Sequence, residues 1–297
     1  GVGEERLQQL KTNIQDIAIE TGKMTDDLTG GLYQVVSAFG DTADTAEILR
    51  INAKAAAAGL AETTDAINLT SAVTKAYGDT NAAAVQHVAD MSLATVRMGQ
   101  TTFPELAASM GKVTPIAAAL GVSQAELFAQ MATLTGVTGG AAEVSTQLRA
   151  SYQAILAPTK DMSSAMTDVA TSLDKQGKLV GGEFTNQWRD AYQELLASGT
   201  ALAQLEKGLA AAENATKPNT KAVSELKKSV KEAKDEYKDA YKVYEEAGAA
   251  LGPTLVKSVG LNDALKLLSG TAGGNTDTLR KMFGSVEALT AVLALSG

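Results

Sequence analysis

From Val223 to Leu251 the apolar residues fall alternately three and four apart: Val223, Leu226, Val230, Ala233, Tyr237, Ala240, Tyr244, Ala247 and Leu251. A strand repeats its face every second residue, so this spacing belongs to a helix, where such positions share one stripe. Sustained over four heptads, the stripe is an a/d seam that needs a partner helix. The preceding stretch offers one. Trp188, Leu195, Leu202 and Leu209 recur every seven residues, with Leu205 and Ala212 between them. NATKPN separates the two arms, and KKSVKEAKDEYKDAYK alternates lysines with acids on the outer faces of the second. The spacing predicts an antiparallel coiled-coil hairpin whose arms each reach roughly 40–45 Å.

The rest of the chain is also helical, in shorter pieces. Leu7, Leu10, Ile14 and Ile17 mark a first helix ended by Gly22. Gly40, Gly59, Gly78 and Gly99 then follow helical runs. Each precedes a capping residue (Asp41, Thr63, Asp79, Thr101), so each is expected to close a helix in the left-handed conformation. AFGDT at 38–42 returns as AYGDT at 76–80, which suggests a repeated helical hairpin. From Thr102 to Leu156 four short helices are expected: TFPELAASMG, TPIAAALG, SQAELFAQMATLTG and AAEVSTQLRASYQAIL. Ser123 and Glu126 have the spacing of a capping box, and Pro158 ends the region. Met162, Met166, Val169 and Leu173 define a further helix, and GKLVGGEF at 177–184 reads as a turn or short hairpin. After Gly252-Pro253 come LNDALKLLSG, the loop TAGGN, and TDTLRKMFGSVEALTAVLALSG.

The expected fold is therefore all-α: a compact array of short helices and helical hairpins with an inserted long antiparallel coiled-coil hairpin. The expected boundaries are 1–184 for the helical core module, 185–250 for the hairpin and 251–297 for the continuation of the core.

Composition narrows the chemistry. The chain has 297 residues, 34 acidic and 26 basic side chains and a formal charge of −8, so it repels a phosphate backbone unless its charges segregate. It has no cysteine and one histidine, His87, which rules out thiolate metal sites and sites needing two imidazoles. Aromatics are 4 % while about fifty residues are alanine, so helices pack through small side chains. No apolar run approaches the roughly 20 residues of a membrane span. Glu4, Glu5, Arg6 and Lys11 are unlike a signal peptide. Gly1 and the apolar run before Gly297 suggest a piece of a longer protein.

Several local patterns imitate functional motifs. AAALGVSQAELFAQ at 117–130 has the shape of a helix-turn-helix corner, with Ala117, Gly121, Val122 and Leu127 in place. Its second helix would present Gln124, Glu126, Gln130 and Thr133, yet between Lys112 and Arg149 the only charges are Glu126 and Glu143. A reading helix needs cations for the phosphates, so a packed corner is expected. GVSQA departs from a nucleophile elbow at Ala125 and follows a helix instead of a strand. His87 and Asp90 lie one turn apart on a helix, where solvation explains both. SGTAGGNT lacks the Lys-Ser/Thr ending of a P-loop. Asp26-Asp27 and Glu245-Glu246 are adjacent in sequence and are expected to be solvated. No catalytic, cofactor-binding or metal-ligating residue is assigned, and no cofactor is expected. Residues 113–148 are nearly uncharged; they read as close-packed helices, or as helices able to meet a membrane.

The chain as a whole resembles the core region of tape-measure proteins from the tails of long-tailed bacteriophages and prophages. The resemblance rests on ordered phrases: GLYQVVSAFGDTADTAEIL, the helix ending AAAAGL, TSAVTKAYG, the run TTFPELAASMGKVTPIAAALGVSQAELFAQMATLTGVTGGAAEVSTQLRASYQAILAP, and FGSVEALTAVLALSG. They cover about residues 25–185 and 252–297; the hairpin between is less typical and reads as an insertion. The resemblance implies a structural role without catalysis, in tail assembly, length determination and delivery of DNA across the host envelope. Its implied partners are tail tube and tail-tip or baseplate proteins and tail assembly chaperones, with contact to the host inner membrane and self-association as further expectations. The implied location is the lumen of the phage tail, after assembly in the host cytoplasm. No sequence-specific nucleic-acid binding is expected. Because 27 glycines punctuate the helices, a folded module is expected here in place of an extended ruler. The alternative is a bacterial membrane-active effector that inserts helices 113–148.

Overall fold

A computed structural model describes residues 4–215, 219–248 and 250–296, with the side chains of residues 183 and 184 left out. Among the described residues there are fifteen α-helices and no strand. The chain forms two units. One is built from the described residues up to Ala165 and from Val259 onwards, the other from Met166 to Ser258.

The first unit begins with α1 (Glu4–Thr21), α2 (Thr25–Phe39), α3 (Thr45–Ala58), α4 (Thr63–Tyr77), α5 (Ala82–Met98), α6 (Phe103–Leu120), α7 (Gln124–Thr135) and α8 (Ala141–Leu156). Even-numbered helices pack on even, α2 on α4 on α6 on α8, and odd on odd, α1 on α3 on α5 on α7. Consecutive helices close the two rows against each other, which makes a two-layer ladder. The echo at 38 residues is structural. Leu28, Gly31 and Val35 of α2 are buried, and so are Ala66, Leu69 and Val73 of α4, each 38 positions later. With one residue fewer, Ile48, Ile51, Asn52 and Ala55 match the buried Val85, Val88, Ala89 and Ser92.

Gly40, Gly59, Gly78 and Gly99 all stand at helix C-termini, but for two different reasons. Gly40 and Gly78 have φ near +80°. Gly59 and Gly99 have φ of −91° and −95°, which any residue adopts. Their requirement is space: a Cβ on Gly59 would lie 2.7 Å from the Phe103 ring, and one on Gly99 would lie 2.4 Å from Thr135 Oγ1. At the α3 corner the left-handed residue is Leu60, with φ +53°. The N–H of Ala61 donates to Ala56 O, closing a Schellman turn around that leucine. The N-caps also differ from the expected residues, Glu62 standing one position before Thr63, and Asn81 and Thr102 after Asp79 and Thr101. Asn81 and Thr102 accept from the N–H groups of Ala84 and Glu105, and Glu62 forms a capping box with Asp65.

The two helices expected in 103–120 are one. Leu106, Met110, Val113, Ala117 and Leu120 form a single buried stripe that runs past Gly111, and packing against α4 and α8 favours one continuous helix. Pro115 is tolerated because it and Gly111, whose carbonyl loses its partner, are both exposed to solvent.

The chain leaves the first unit within α9 (Lys160–Lys175). After a turn at 176–182 without strands, α10 (Glu183–Glu213) and α11 (Thr220–Gly248) run as a long antiparallel pair. The partners show the register. Tyr192 faces Tyr244, Gly199 lies against Tyr237, Glu206 pairs with Lys234 at 3.0 Å, and Glu213 with Lys227 at 2.9 Å. Every seam position from Val223 to Leu251 is buried or half-buried, as are Trp188, Leu195, Leu202, Leu205, Leu209 and Ala212. The expected reversal at NATKPN lies partly outside the described residues, at 216–218.

α12 (Leu251–Val259) returns the chain to the first unit, followed by α13 (Leu261–Thr271), α14 (Thr276–Phe283) and α15 (Val286–Ser296). α15 packs on α8 and α7 and extends the even row.

Candidate functional site

The corner at 117–127 is built as a helix-turn-helix and used as a joint. Gly121, with φ +83°, ends α6; its N–H donates to Ala118 O and that of Val122 to Ala117 O, both at 3.0 Å. Ser123 Oγ caps α7 by accepting from Glu126 N–H at 3.2 Å. The reciprocal half of the expected capping box is absent. The Glu126 carboxylate accepts from the N–H groups of Leu261 and Asn262, at 2.8 and 3.1 Å, and so caps the start of α13. A carboxylate facing the orphan donors of a helix start is favoured by hydrogen bonding and by the helix dipole.

Around that contact lies a buried polar network. Gln130 Nε2 donates to Asn262 Oδ1 at 2.9 Å, and Tyr152 Oη donates to Gln130 Oε1. Tyr77 Oη donates to Val122 O at 2.9 Å. Burial pushes the Tyr152 phenol well above its ordinary pKa, and Tyr77 and Glu126 add to the effect. Burial and then Glu126 raise Tyr77 in the same direction. Both phenols therefore stay protonated as donors. Of the four residues that would have faced bases, Glu126 and Gln130 are thus bonded to α13, and Gln130 is 1 % exposed. On the neighbouring helix end, Thr159 Oγ1 donates towards the carbonyls of Lys281 and Met282, at 3.1 and 3.0 Å. These bonds join the two sequence segments of the first unit.

The remaining patterns stay apart. His87 is exposed, and Asp90 accepts from Gln86 Nε2 at 2.8 Å. Ser123 is occupied as a cap. In SGTAGGNT, Gly273 and Gly274 have positive φ and Asn275 caps α14. Among the described residues no group of three His, Asp or Glu side chains is placed to hold a metal. Glu246 lies 3.9 Å from Lys242 on an exposed face.

Asp27 corrects the expectation of simple solvation. It accepts from the Thr63 N–H at 3.0 Å and hydroxyl at 2.6 Å, and pairs with Lys23 at 3.5 Å. Burial opposes its charge, but these bonds outweigh that and hold its carboxyl below the ordinary value. It escaped the sequence because its partner lies 36 residues away.

In the near-neutral stretch, Val113, Leu120, Leu127, Met131, Val144 and Leu148 are fully buried core residues. Among the described residues no helix is long and apolar enough to cross a membrane.

No curated protein and no solved structure matches the chain. The family described as phage-related minor tail protein matches residues 11–205, about two thirds of the sequence. That range runs from within α1 through the ladder into the first long arm. A chain with this all-helical ladder and a match of this extent belongs to the phage-related minor tail protein family.

Proposed function

We propose that this chain is a non-catalytic structural module of a tail tape-measure protein, housed in the tail lumen and acting in assembly and DNA delivery. The match to the minor tail family over 11–205 carries the reading, and the ordered phrases of the sequence narrow it to the tape measure. A ruler measures by extended length, whereas the ladder folds its helices back every 12 to 18 residues. The ladder is therefore a docking body, and tail-tube, tail-tip or chaperone proteins are its partners.

The test is genetic and uses the phage that encodes the chain. Purified tails should contain the protein by mass spectrometry. In-frame removal of residues 183–248 should lower the yield of intact tails while leaving their length unchanged in electron micrographs. Tails shortened by about the 45 Å of one arm would make the hairpin part of the ruler. Absence of the protein from tails would overturn the proposal.

A further inference from the structure

Successive corners at one end of the ladder each carry an exposed apolar residue. Met24 stands between α1 and α2, Leu60 between α3 and α4, Met98 at the end of α5, and Val137 between α7 and α8. Their exposures are 79 %, 92 %, 72 % and 69 %. The corners at 40–44, 78–81 and 121–123, at the opposite end, carry no exposed large apolar residue.

The four corners are neighbours in space. Lys23 Nζ donates to Ala61 O and Asp27 accepts from Thr63, which joins the first to the second. Gly59 lies against the Phe103 ring, joining the second to the third. Gln100 N–H donates to Thr135 Oγ1 at 3.3 Å, joining the third to the fourth. The four residues therefore form a row, with a step set by helix packing at about 8–10 Å.

Leu60 supplies an independent observation. A leucine in the left-handed region is strained, and this one, nearly fully exposed, recovers nothing by packing. Glycine would fit the turn better. Such strain, unexplained by the fold, points to a role outside it.

The surroundings are acidic. Every even-numbered helix of the ladder starts at this end, and the exposed carboxylates of Asp26, Glu62, Glu105 and Glu143 lie in or beside those first turns. The cations nearest this edge are Arg97, Lys23, paired with Asp27, and Lys54, paired with Glu20 one turn below the corners. An anionic lipid surface and a second copy of the same edge would both be repelled.

We propose that this edge docks a basic amphipathic helix of a partner protein. A helix rises about 10.5 Å in seven residues, close to the step between corners. One apolar residue per heptad would meet one corner after another, while flanking lysines or arginines face the carboxylates. This docking is independent of whether the chain sets tail length.

The probe is a synthetic 28-residue helix with leucine at every seventh position, lysines beside each leucine and alanine elsewhere. The intact chain should bind it in fluorescence anisotropy, and hydrogen exchange should slow at 22–26, 59–63, 98–102 and 136–140. Combined Met24→Ser, Leu60→Gly, Met98→Ser and Val137→Ser substitutions should weaken binding at least tenfold with the helical content unchanged. Leu60→Gly alone should weaken binding several-fold while raising thermal stability, an outcome that misfolding cannot imitate. Equal binding of a scrambled peptide of the same composition, or protection elsewhere, would overturn the proposal. So would failure of the peptide to bind while anionic vesicles do.

Discussion

The ladder and the long helical pair are made of the same kind of amphipathic helix, yet they bury it differently. In the ladder most helices have neighbours on several sides, and Phe103, Leu106, Met110 and Tyr152 are fully enclosed. In the pair each arm packs chiefly on the other, with α9 touching both only at the end away from the tip, where Arg189 pairs with Asp174 and Tyr244 bonds to Thr167. α11 buries only Val230, Ala233 and Ala240, and towards the tip the seam residues Leu202, Leu205, Leu209, Val223 and Leu226 remain half-exposed. Heptad periodicity fixes which face meets the partner; the number of neighbours decides how much that contact stabilises. The ladder is accordingly the rigid body, and the tip of the pair is the part that opens at least cost.

The sharpest way to break this comparison is to remove one large side chain from each region. Phe103→Ala should cost about 3–5 kcal/mol and Leu209→Ala no more than about 1–2 kcal/mol, because a half-exposed leucine loses less on truncation. Hydrogen exchange would show lost protection across the ladder in the first variant and only near the tip in the second. Equal effects would mean that the pair is as tightly packed as the ladder.

A single substitution should change sign between the regions. Gly59→Ala places a Cβ 2.7 Å from the Phe103 ring and should cost about 1–3 kcal/mol. Gly208→Ala, on an open face of α10, should stabilise by about 0.5–1 kcal/mol. Denaturant midpoints of the two variants decide the matter.

Acid should act on the ladder through Asp27. Its folded pKa lies below the ordinary aspartate value, so its contribution is complete above the unfolded pKa of about 3.9. It is lost as pH falls through the folded value. Between pH 6 and pH 3, Asp27→Asn should therefore lose less stability than the parent chain, read from thermal unfolding at each pH. The smallest effect belongs to the pair's surface: Lys234→Ala, which removes the 3.0 Å contact with Glu206, should cost under about 0.5 kcal/mol and less at high salt.

What the sequence disclosed follows the same division. The long pair was legible because its contacts repeat with the heptad along both arms: the residues read as a seam are the residues that are sheltered. In the ladder, helix type was legible and the reasons for individual residues were not. Gly59 reads as a left-handed terminator until Phe103 is found against it, and Leu60, which carries the positive φ, gives no sign of it. Glu126 has capping-box spacing, but its stronger partners are N–H groups 135 and 136 residues away. Gly111 and Pro115 look like a break, and the packing of α6 against α4 and α8 overrides them. The apolar edge is spelled out at 24, 60, 98 and 137, yet the spacing means nothing until those positions are known to be adjacent corners.

The bond between Glu126 and the start of α13 also has a meaning in time. The two partners are separated by 135 residues. At a synthesis rate of roughly 5–20 residues per second, Leu261 follows Glu126 from the ribosome by roughly 7–30 s. Through most of that interval α7 and α8 exist without α15, and Gln130, which accepts from Tyr152, lacks its other partner Asn262. The nascent protein must wait with an open flank while the long pair is still being made, so ladder closure follows the pair and depends on the residues from Val259 onwards.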